Sequence, residues 1–336
     1  MPPSPAPAKS SRSNLRIAVQ ADPLLSLDVN HDSTLAMMRA ALKRGYKLFY
    51  YDPKDLSWHN DRTGGKLWAR GAWVRDWPEA APWPTMTAPE MAHIGDCDVV
   101  LLRQTPPFDI AYITSTYLLE LIAATTLVVN DPGAVRDAPE KFFIARYPDL
   151  LPPSFISADA SAIDAFRAQH GAIVLKPLYN HGGKDVVRIA PEANGAAIGH
   201  YLAHQGKLPC LAQKFVTAVT AGVKRVLLIN GTIIGASRRI PKAGDFRASS
   251  AAGATAEACG LAPRERKMIA RFNRTLVSQG ILCASIDIIG DYVTAINVAT
   301  PGGFAEIDTF GKRQGPDRCA ELFWDAVEQK LVLRKL

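Results

Sequence analysis

Strand-type and helix-type segments take turns over the first 130 residues, and that alternation limits the possible folds more than any other feature. "LRIAVQAD" (15–22) is a short strand of the buried type. A polar start at Asp32 or Ser33, apolar residues at Leu35, Met38 and Leu42, and a stop at Gly45 mark a capped helix that feeds a strand at Lys47–Tyr51. "CDVVLLR" (97–103), "AYITSTYLLELIAA" and "TLVVND" then give strand, helix and strand again. This rhythm predicts α/β architecture, with an open parallel sheet and crossover helices over residues 15–130. Residues 58–93 interrupt it. They hold five of the six tryptophans and several prolines, and are expected to be an irregular excursion that packs as a satellite rather than forming a ligand box.

The character changes after Pro132. "GAIVLKPL" (171–178) and "DVVRIA" are strands flanking a glycine-containing loop; a helix follows at about 192–204, and then the strand "CLAQKF". "VKRVLLING" and "TIIGASRRIP" meet at Asn230-Gly231, a strong hairpin signal. Residues 242–260 are small and polar without an apolar period, so they read as a mobile loop. "PRERKMIARFNRTLVSQG" is a helix, and a last helix is expected over roughly 316–331. Between them, "SIDIIGDYVTAINVATPGG" (285–303) reads as a strand, a tight Gly290-Asp291 turn and a return strand. That hairpin brings Asp287 and Asn297 close together, with oxygen atoms that suit Mg²⁺.

Composition narrows the functional classes. A chain of 336 residues with 48% hydrophobic content can bury two or three cores. No apolar run reaches the roughly 18 residues of a membrane span. The start, "MPPSPAPAKSSRSN" (1–14), lacks the apolar segment of a secretory signal and is expected to be a disordered tail. The five cysteines are scattered and form no CxxC pair, which points to reduced thiols and a cytoplasmic location. The net charge is +7, but the basic residues are dispersed and not interleaved with aromatics. Anionic small molecules are therefore the expected partners, with neither nucleic acid nor membrane.

"VLKPLYNHGGKDVVRI" carries the next chemical signal. Lys176 ends one strand, Asn180-His181-Gly182-Gly183 turns, and a second strand returns. Glycines let a backbone approach phosphates, and a lysine supplies a point charge. No GxxxxGK[ST] is present, and the loop joins two strands, so neither a Walker loop nor a Rossmann fingerprint is involved. On pattern alone an ordinary glycine-containing β-turn is the plainer reading. Lys141 and Lys176 would then be exposed lysines, His181 an exposed turn residue, and Asp287 a strand-end carboxylate held by backbone donors.

The order of these parts resembles the ATP-grasp fold, and within it the prokaryotic glutathione synthetases. The resemblance runs from about Arg16 to the last helix. It rests on "PPFD" (106–109), "VRDAPEKFF" (135–143), "LKPL" (175–178) with its "GG", "KRVL" (224–227), "RIP" (239–241), "DIIGD" (287–291) and "INV" (296–298). It implies an open parallel α/β domain over 15–131 and then an ATP-grasp fold, two α+β subdomains over 132–215 and 216–336 holding ATP between them, with a lid at 242–258. The implied activity is an ATP-dependent carboxylate–amine ligase that phosphorylates γ-glutamylcysteine and lets glycine attack the acyl phosphate. ATP and Mg²⁺ are the implied cofactors, and a homo-oligomer is expected. Position by position, Lys141 and Lys176 would contact phosphates, with His181, Gly182 and Gly183 over them. Gln213, Lys214, Phe215 and Val216 would form the adenine hinge through backbone groups. Arg225 and Arg239 would face phosphate and substrate, Arg247 would stand in the lid, Arg103 in the dipeptide site, and Asp287 and Asn297 would hold Mg²⁺.

The chain also departs from that pattern. Ala295 stands where the family has a metal-bridging glutamate, and a methyl group binds no metal. Gln104-Thr105 replaces Lys-Asp, Val223 an acidic residue, Ser249 an asparagine, Ala254 a glycine and Ala305 an arginine. Two alternatives stay open on these grounds: a nucleotide-binding relative with weak catalysis or a regulatory role, and a ligase for a different acid and amine. Glu306 and Asp308 follow the metal strand, and loop geometry decides whether either carboxylate reaches the site.

Overall fold

A computed structural model describes residues 14–62, 64–310 and 317–334. The expected tail at 1–14 lies outside the described residues except for Asn14.

The first unit is built on β1 (Arg16–Ala21), α1 (Ser33–Lys43) and β2 (Lys47–Tyr51). Asp32 caps α1 by accepting from the backbone N–H groups of Thr34 and Leu35. After β3 (Leu56–Asp61), β4 (Gly64–Asp76), β5 (Thr85–Met86) and β6 (Glu90–His93), the chain returns through β7 (Val99–Arg103), α2 (Ile110–Glu120) and β8 (Leu127–Val129). The sheet order is β3-β4-β2-β1-β7-β8, with β5 and β6 paired to β4. β2, β1, β7 and β8 are parallel, as the alternation predicts. Residues 58–93 do not form the expected irregular excursion. β4 pairs antiparallel with β2 and extends the sheet, and β3, β5 and β6 pair with β4. Their tryptophans do not form the expected satellite either: Trp73 packs on the main core, tilted on Phe49 at 5.1 Å, Trp77 and Trp83 pack on the core beside α1, and the Arg39 guanidinium lies 4.2 Å over Trp77.

In this order the strand sequence reverses between β1 and β7. That is a topological switch point, where the strand ends open a crevice at the sheet's carboxyl edge. Asp22, Arg103, Gln104 and Thr105 sit at that edge, and the Thr105 N–H donates to Asp22 Oδ2 at 3.1 Å.

The short α3 (Pro132–Asp137) leads to the second sheet, formed by β9 (Ser154–Ser157), β10 (Ile173–Pro177), β11 (Val187–Ile189) and β12 (Cys210–Lys214), with α4 (Ala160–His170) and α5 (Ala196–His204). Its order is β11-β10-β12-β9, antiparallel throughout. Ile173, Leu175, Cys210 and Ala212 face the two helices in one apolar cluster. The alternate residues Val174, Lys176, Leu211 and Gln213 therefore point to the other face.

The third sheet takes β13 (Val223–Ile229), β14 (Thr232–Ile240), β15 (Thr255–Ala258), β16 (Cys283–Ile289) and β17 (Tyr292–Asn297), in the order β15-β14-β13-β16-β17. Helix α6 (Pro263–Ser278) covers one face, burying Met268, Ile269, Phe272 and Leu276 against Val226, Ile286, Ile288 and Ile296. Helices α7 (Phe304–Phe310) and α8 (Arg318–Arg334) complete the chain, and α8 lies against α1 in the core of the first unit. The loop expected at 242–260 contains regular structure: β15 pairs with β14 from Ser237↔Ala258 to Ile240↔Thr255. Asn130 ties the first unit to the third. Its side chain donates to the carbonyls of Cys283 and Val298 and accepts from the N–H groups of Leu282 and Cys283, all within 2.9 Å.

Candidate functional site

Strand register brings the hairpin residues together. Asp287 lies opposite Ala295 and Arg225, and Arg225 lies opposite Ser237, so one row crosses β17, β16, β13 and β14. Asn297 lies two residues beyond Ala295 and shares its face. Ile286, Ile288 and Ile296 point the other way into the core. The cleft face of the third sheet is thus polar and its back apolar.

Two ion pairs occupy that face. Arg225 grips Asp287 bidentately, Nε to Oδ1 at 2.8 Å and Nη2 to Oδ2 at 2.6 Å. Arg239 grips both oxygens of Glu306 through a shared Nε, at 3.0 Å to Oε1 and 3.1 Å to Oε2, with Nη2 to Oε1 at 2.7 Å, while the Ser237 hydroxyl donates to Glu306 Oε2 at 2.6 Å. Burial works against the charge on both carboxyls. Arg225 outweighs it at Asp287, and Arg239 does so at Glu306, so both stay below the usual carboxylate range. Helix α7 decides which of the two late carboxylates reaches the site. Glu306 enters beside Arg239, whereas Asp308 accepts from the Cys319 N–H at the start of α8.

Across the cleft, Lys176 Nζ donates to Gln213 Oε1 at 2.7 Å. Gln213 Nε2 donates to Ser154 Oγ at 3.0 Å, and Ser154 donates to the Pro152 carbonyl at 2.6 Å. Because the serine proton is committed to Pro152, its oxygen accepts from the amide, which turns the amide oxygen to the lysine. Gln213 therefore acts through its side chain, a role beyond the backbone contact expected of it. Burial and the neighbouring Lys141 charge lower the Lys176 pKa to about 8. The buried Lys141 ammonium donates to the Asn180 carbonyl in the glycine loop. Gly182 and Gly183 have φ of +64° and +78°, a region that a side chain would strain. His181 is half-buried, and burial lowers its pKa.

The expected hinge has a definite donor pattern. The Lys214 N–H is committed to the Pro153 carbonyl and that of Phe215 to the Ala172 carbonyl. The Val216 N–H makes no hydrogen bond among the described residues. Residues 242–258 lie over this end of the cleft: Phe246 packs edge-on against Phe215 at 5.9 Å, and the Ser249 hydroxyl is 3.4 Å from where a Cβ would stand on Gly183. Arg247 is the one expected arginine left out of the cluster. It is exposed, and Asp245, two residues away, takes its Nη2 at 2.8 Å.

Arg103 lies at the switch point and is 6% exposed. Its Nε donates to Thr34 Oγ1 at 3.0 Å and its Nη2 to the Pro301 carbonyl at 3.2 Å, and burial lowers its pKa. With only neutral acceptors and no ion pair among the described residues, it can receive an anionic group. Gln104 turns inward, where its Oε1 accepts from Ser115 Oγ at 2.9 Å and Gln20 Nε2 at 3.2 Å.

The donor types on the hairpin are those that Mg²⁺ takes, although Arg225 holds Asp287 and the Asn297 oxygen accepts from the Thr300 N–H. Asp287 and Asn297 are hard oxygen ligands on one face, and Mg²⁺ binds through one or two carboxylates plus phosphate oxygens and water. Ala295 adds nothing, and among the described residues no group of three or more His, Cys, Asp or Glu side chains could hold a metal.

An open α/β unit, two antiparallel sheets facing each other across a cleft and paired lysines opposite a carboxylate hairpin define an ATP-grasp ligase. The family profile described as "Prokaryotic glutathione synthetase, N-terminal domain" matches residues 15–136, and "Prokaryotic glutathione synthetase, ATP-grasp domain" matches 140–312. The chain belongs to the prokaryotic glutathione synthetase family. It is 42% identical over 317 residues to glutathione synthetase of Bradyrhizobium diazoefficiens, covering 94% of this chain and 98% of that one. It is 34% identical over 305 residues to that of Synechocystis, covering 88% and 94%. The fold recurs in D-cycloserine synthetase DcsG, with a TM-score of 0.64, 16% identity and coverage of 94% and 99%. It recurs in D-alanyl-alanine synthetase A of Vibrio cholerae, at 0.60, 15%, and 96% and 100%. The chain is thus an ATP-dependent carboxylate–amine ligase that uses ATP and Mg²⁺. Among the described residues no helix is long and apolar enough to cross a membrane.

Proposed function

We propose that this chain joins γ-glutamylcysteine to glycine and forms glutathione, ADP and phosphate. The observation that carries this is the convergence of three cation sets on one cleft: Arg103 at the switch point, Lys141 and Lys176 on one wall, Arg225 and Arg239 on the other. A dipeptide carboxylate would lie between Arg103 and the γ-phosphate. Its oxygen attacks that phosphorus and ADP leaves; the glycine amine then attacks the acyl carbon and phosphate leaves. Negative charge grows on the transferring oxygens, so fixed cations supply most of the catalysis. Lys141 and Lys176 hold the triphosphate, with His181, Gly182 and Gly183 above it. The Val216 N–H is free to meet the adenine edge, beside Gln213, Lys214 and Phe215. Asp287 and Asn297 would hold Mg²⁺, which supplies Lewis-acid charge at the phosphates when bound. Arg225 and Arg239 reach the transferring group by leaving their carboxylates, and Arg247 reaches it by leaving Asp245. Residues 242–258 act as the lid that excludes water.

The relatives named glutathione synthetase support the choice of substrates. A cytoplasmic location and a homo-oligomeric assembly belong to the same proposal. Incubation with ATP, Mg²⁺, γ-glutamylcysteine and glycine should yield glutathione and ADP in equal amounts. ADP release with another acid–amine pair, and none with this one, would overturn the substrate assignment.

A further inference from the structure

The reading of Asp287 and Asn297 as metal ligands leaves a shortage of negative charge. Asp287 is already paired with Arg225, and Asn297 is neutral and exchanges hydrogen bonds with Thr300. Glu306 is committed to Arg239 and Ser237. Between Asp287 and Asn297 stands a methyl group. A dication entering beside Lys176, Arg225 and Arg239 meets strong repulsion unless another carboxylate faces it.

One carboxylate is positioned for this. The Ile296 N–H donates to the Glu140 carbonyl at 3.3 Å, so Glu140 lies along the outer edge of β17, next to Ala295. Its charge acts on Lys176 of β10, His181 of the glycine loop and Arg225 of β13, three groups from three separate elements. The side chain is half-buried and makes no hydrogen bond or ion pair among the described residues. Buried Lys141 follows it directly and ties this segment to the glycine loop. Glu140 thus reaches the cleft from the side where Ala295 lacks a functional group.

We propose that Glu140 is the second metal-directed carboxylate of this chain and takes over the role that a carboxylate at position 295 would play. The side chain approaches from a neighbouring segment instead of from the strand itself. Its oxygen is a hard ligand, direct or through water, and it completes a site made by Asp287, Asn297 and nucleotide phosphates.

Mn²⁺ binding in the presence of saturating ADP tests this, read from the paramagnetic signal of free Mn²⁺. Glu140→Gln keeps the shape and the backbone hydrogen bond, and should weaken Mn²⁺ binding about 10–100-fold. Metal-free ADP, titrated in chelator, should bind Glu140→Gln as well as the parent or better, since a negative charge has left the phosphate site. Ala295→Glu added to Glu140→Gln should restore Mn²⁺ affinity, because it rebuilds the carboxylate on the strand. Unchanged Mn²⁺ affinity in Glu140→Gln overturns the proposal, and so does loss of metal-free ADP binding, which would make Glu140 a support for the lysines only. Asp287→Asn separates the two readings. If it too binds Mn²⁺ like the parent, the hairpin site itself is wrong; if it alone loses Mn²⁺, the hairpin stands and Glu140 falls.

Discussion

If Lys176 meets the nucleotide phosphates as proposed, it should make nucleotide binding depend on pH in a range where few lysines titrate. Burial and Lys141 bring its pKa down to about 8, with Glu140 and Asp287 opposing the shift. Bound phosphate restores a partner and draws the value back towards the ordinary ~10.4 of an amine. Binding above pH 8 therefore takes up a proton. At pH 9 only about a tenth of the unliganded protein carries the charged amine, so metal-free ATP should bind about tenfold more weakly than at pH 7.5, a loss of about 1.4 kcal/mol. Unliganded stability should move in the opposite direction. Between pH 8 and ~10.4 the unfolded chain holds more protons at this lysine than the folded one, so the Lys176 contribution to stability rises with pH.

Calorimetry at pH 7.5, 8.5 and 9.5, in two buffers of different ionisation enthalpy, reads both affinity and proton uptake. Lys176→Arg keeps its charge over the whole range and removes the slope, while titration of the nucleotide itself is common to both proteins and cancels. Equal slopes in parent and Lys176→Arg, or binding enthalpies that do not depend on buffer at pH 8.5, would refute the reasoning.

Three further outcomes are expected. Gln213→Leu takes the acceptor from Lys176 and the amide donor from Ser154 Oγ; it should weaken ATP binding by about 1–2 kcal/mol without altering the Mn²⁺ affinity of the ADP complex, as calorimetry and the Mn²⁺ signal would show. Asn130→Ala leaves two carbonyls and two N–H groups without their side-chain partner, and should lower the unfolding free energy by about 3 kcal/mol in urea melts. Trypsin should cut the unliganded protein after exposed Arg247, and ATP should slow that cut by drawing the arginine from Asp245 into the cleft; equal rates with and without ATP would remove Arg247 from the site.

The open parallel sheet was legible because each helix between its strands carries its own boundary signals, with Asp32 and Asp109 both accepting from the helix they precede. Residues 58–93 were not legible, for a physical reason. Gly71 reads as a loop residue, yet it stands mid-strand because a Cβ there would meet the Tyr50 carbonyl oxygen at 2.2 Å. The glycine marks a close approach of two strands, and the prolines nearby hide it. In the site, the hairpin face of Asp287, Ala295 and Asn297 followed from alternation alone. The grip of Arg225 on Asp287 did not, since those residues are 62 positions apart and meet only through the β13–β16 register. The inward path of Glu306 needed helix α7, and the approach of Glu140 to β17 needed a single backbone hydrogen bond. Neither leaves a periodic trace.

These ion pairs also change what Ala295 means. Arg225 and Arg239 are each neutralised by one carboxylate, so Lys141, Lys176 and Arg103, which have only neutral hydrogen-bond partners among the described residues, remain as cleft cations without an ion pair, against Glu140. That balance favours a polyanion over a bare dication, so at the proposed site the metal should bind with the phosphates rather than ahead of them. In the proposed cycle a triphosphate competes with Asp287 and Glu306 for the two arginines; once Arg225 turns to phosphate, the ionised Asp287 loses its cation partner and faces the hairpin unpaired. A carboxylate on β17 itself would strengthen the metal's hold, but it would also add a negative charge beside the groups that must attract ATP. An alanine at 295 with a glutamate approaching from residue 140 separates those demands. The strand face stays open to phosphate, and the second carboxylate stands at its edge.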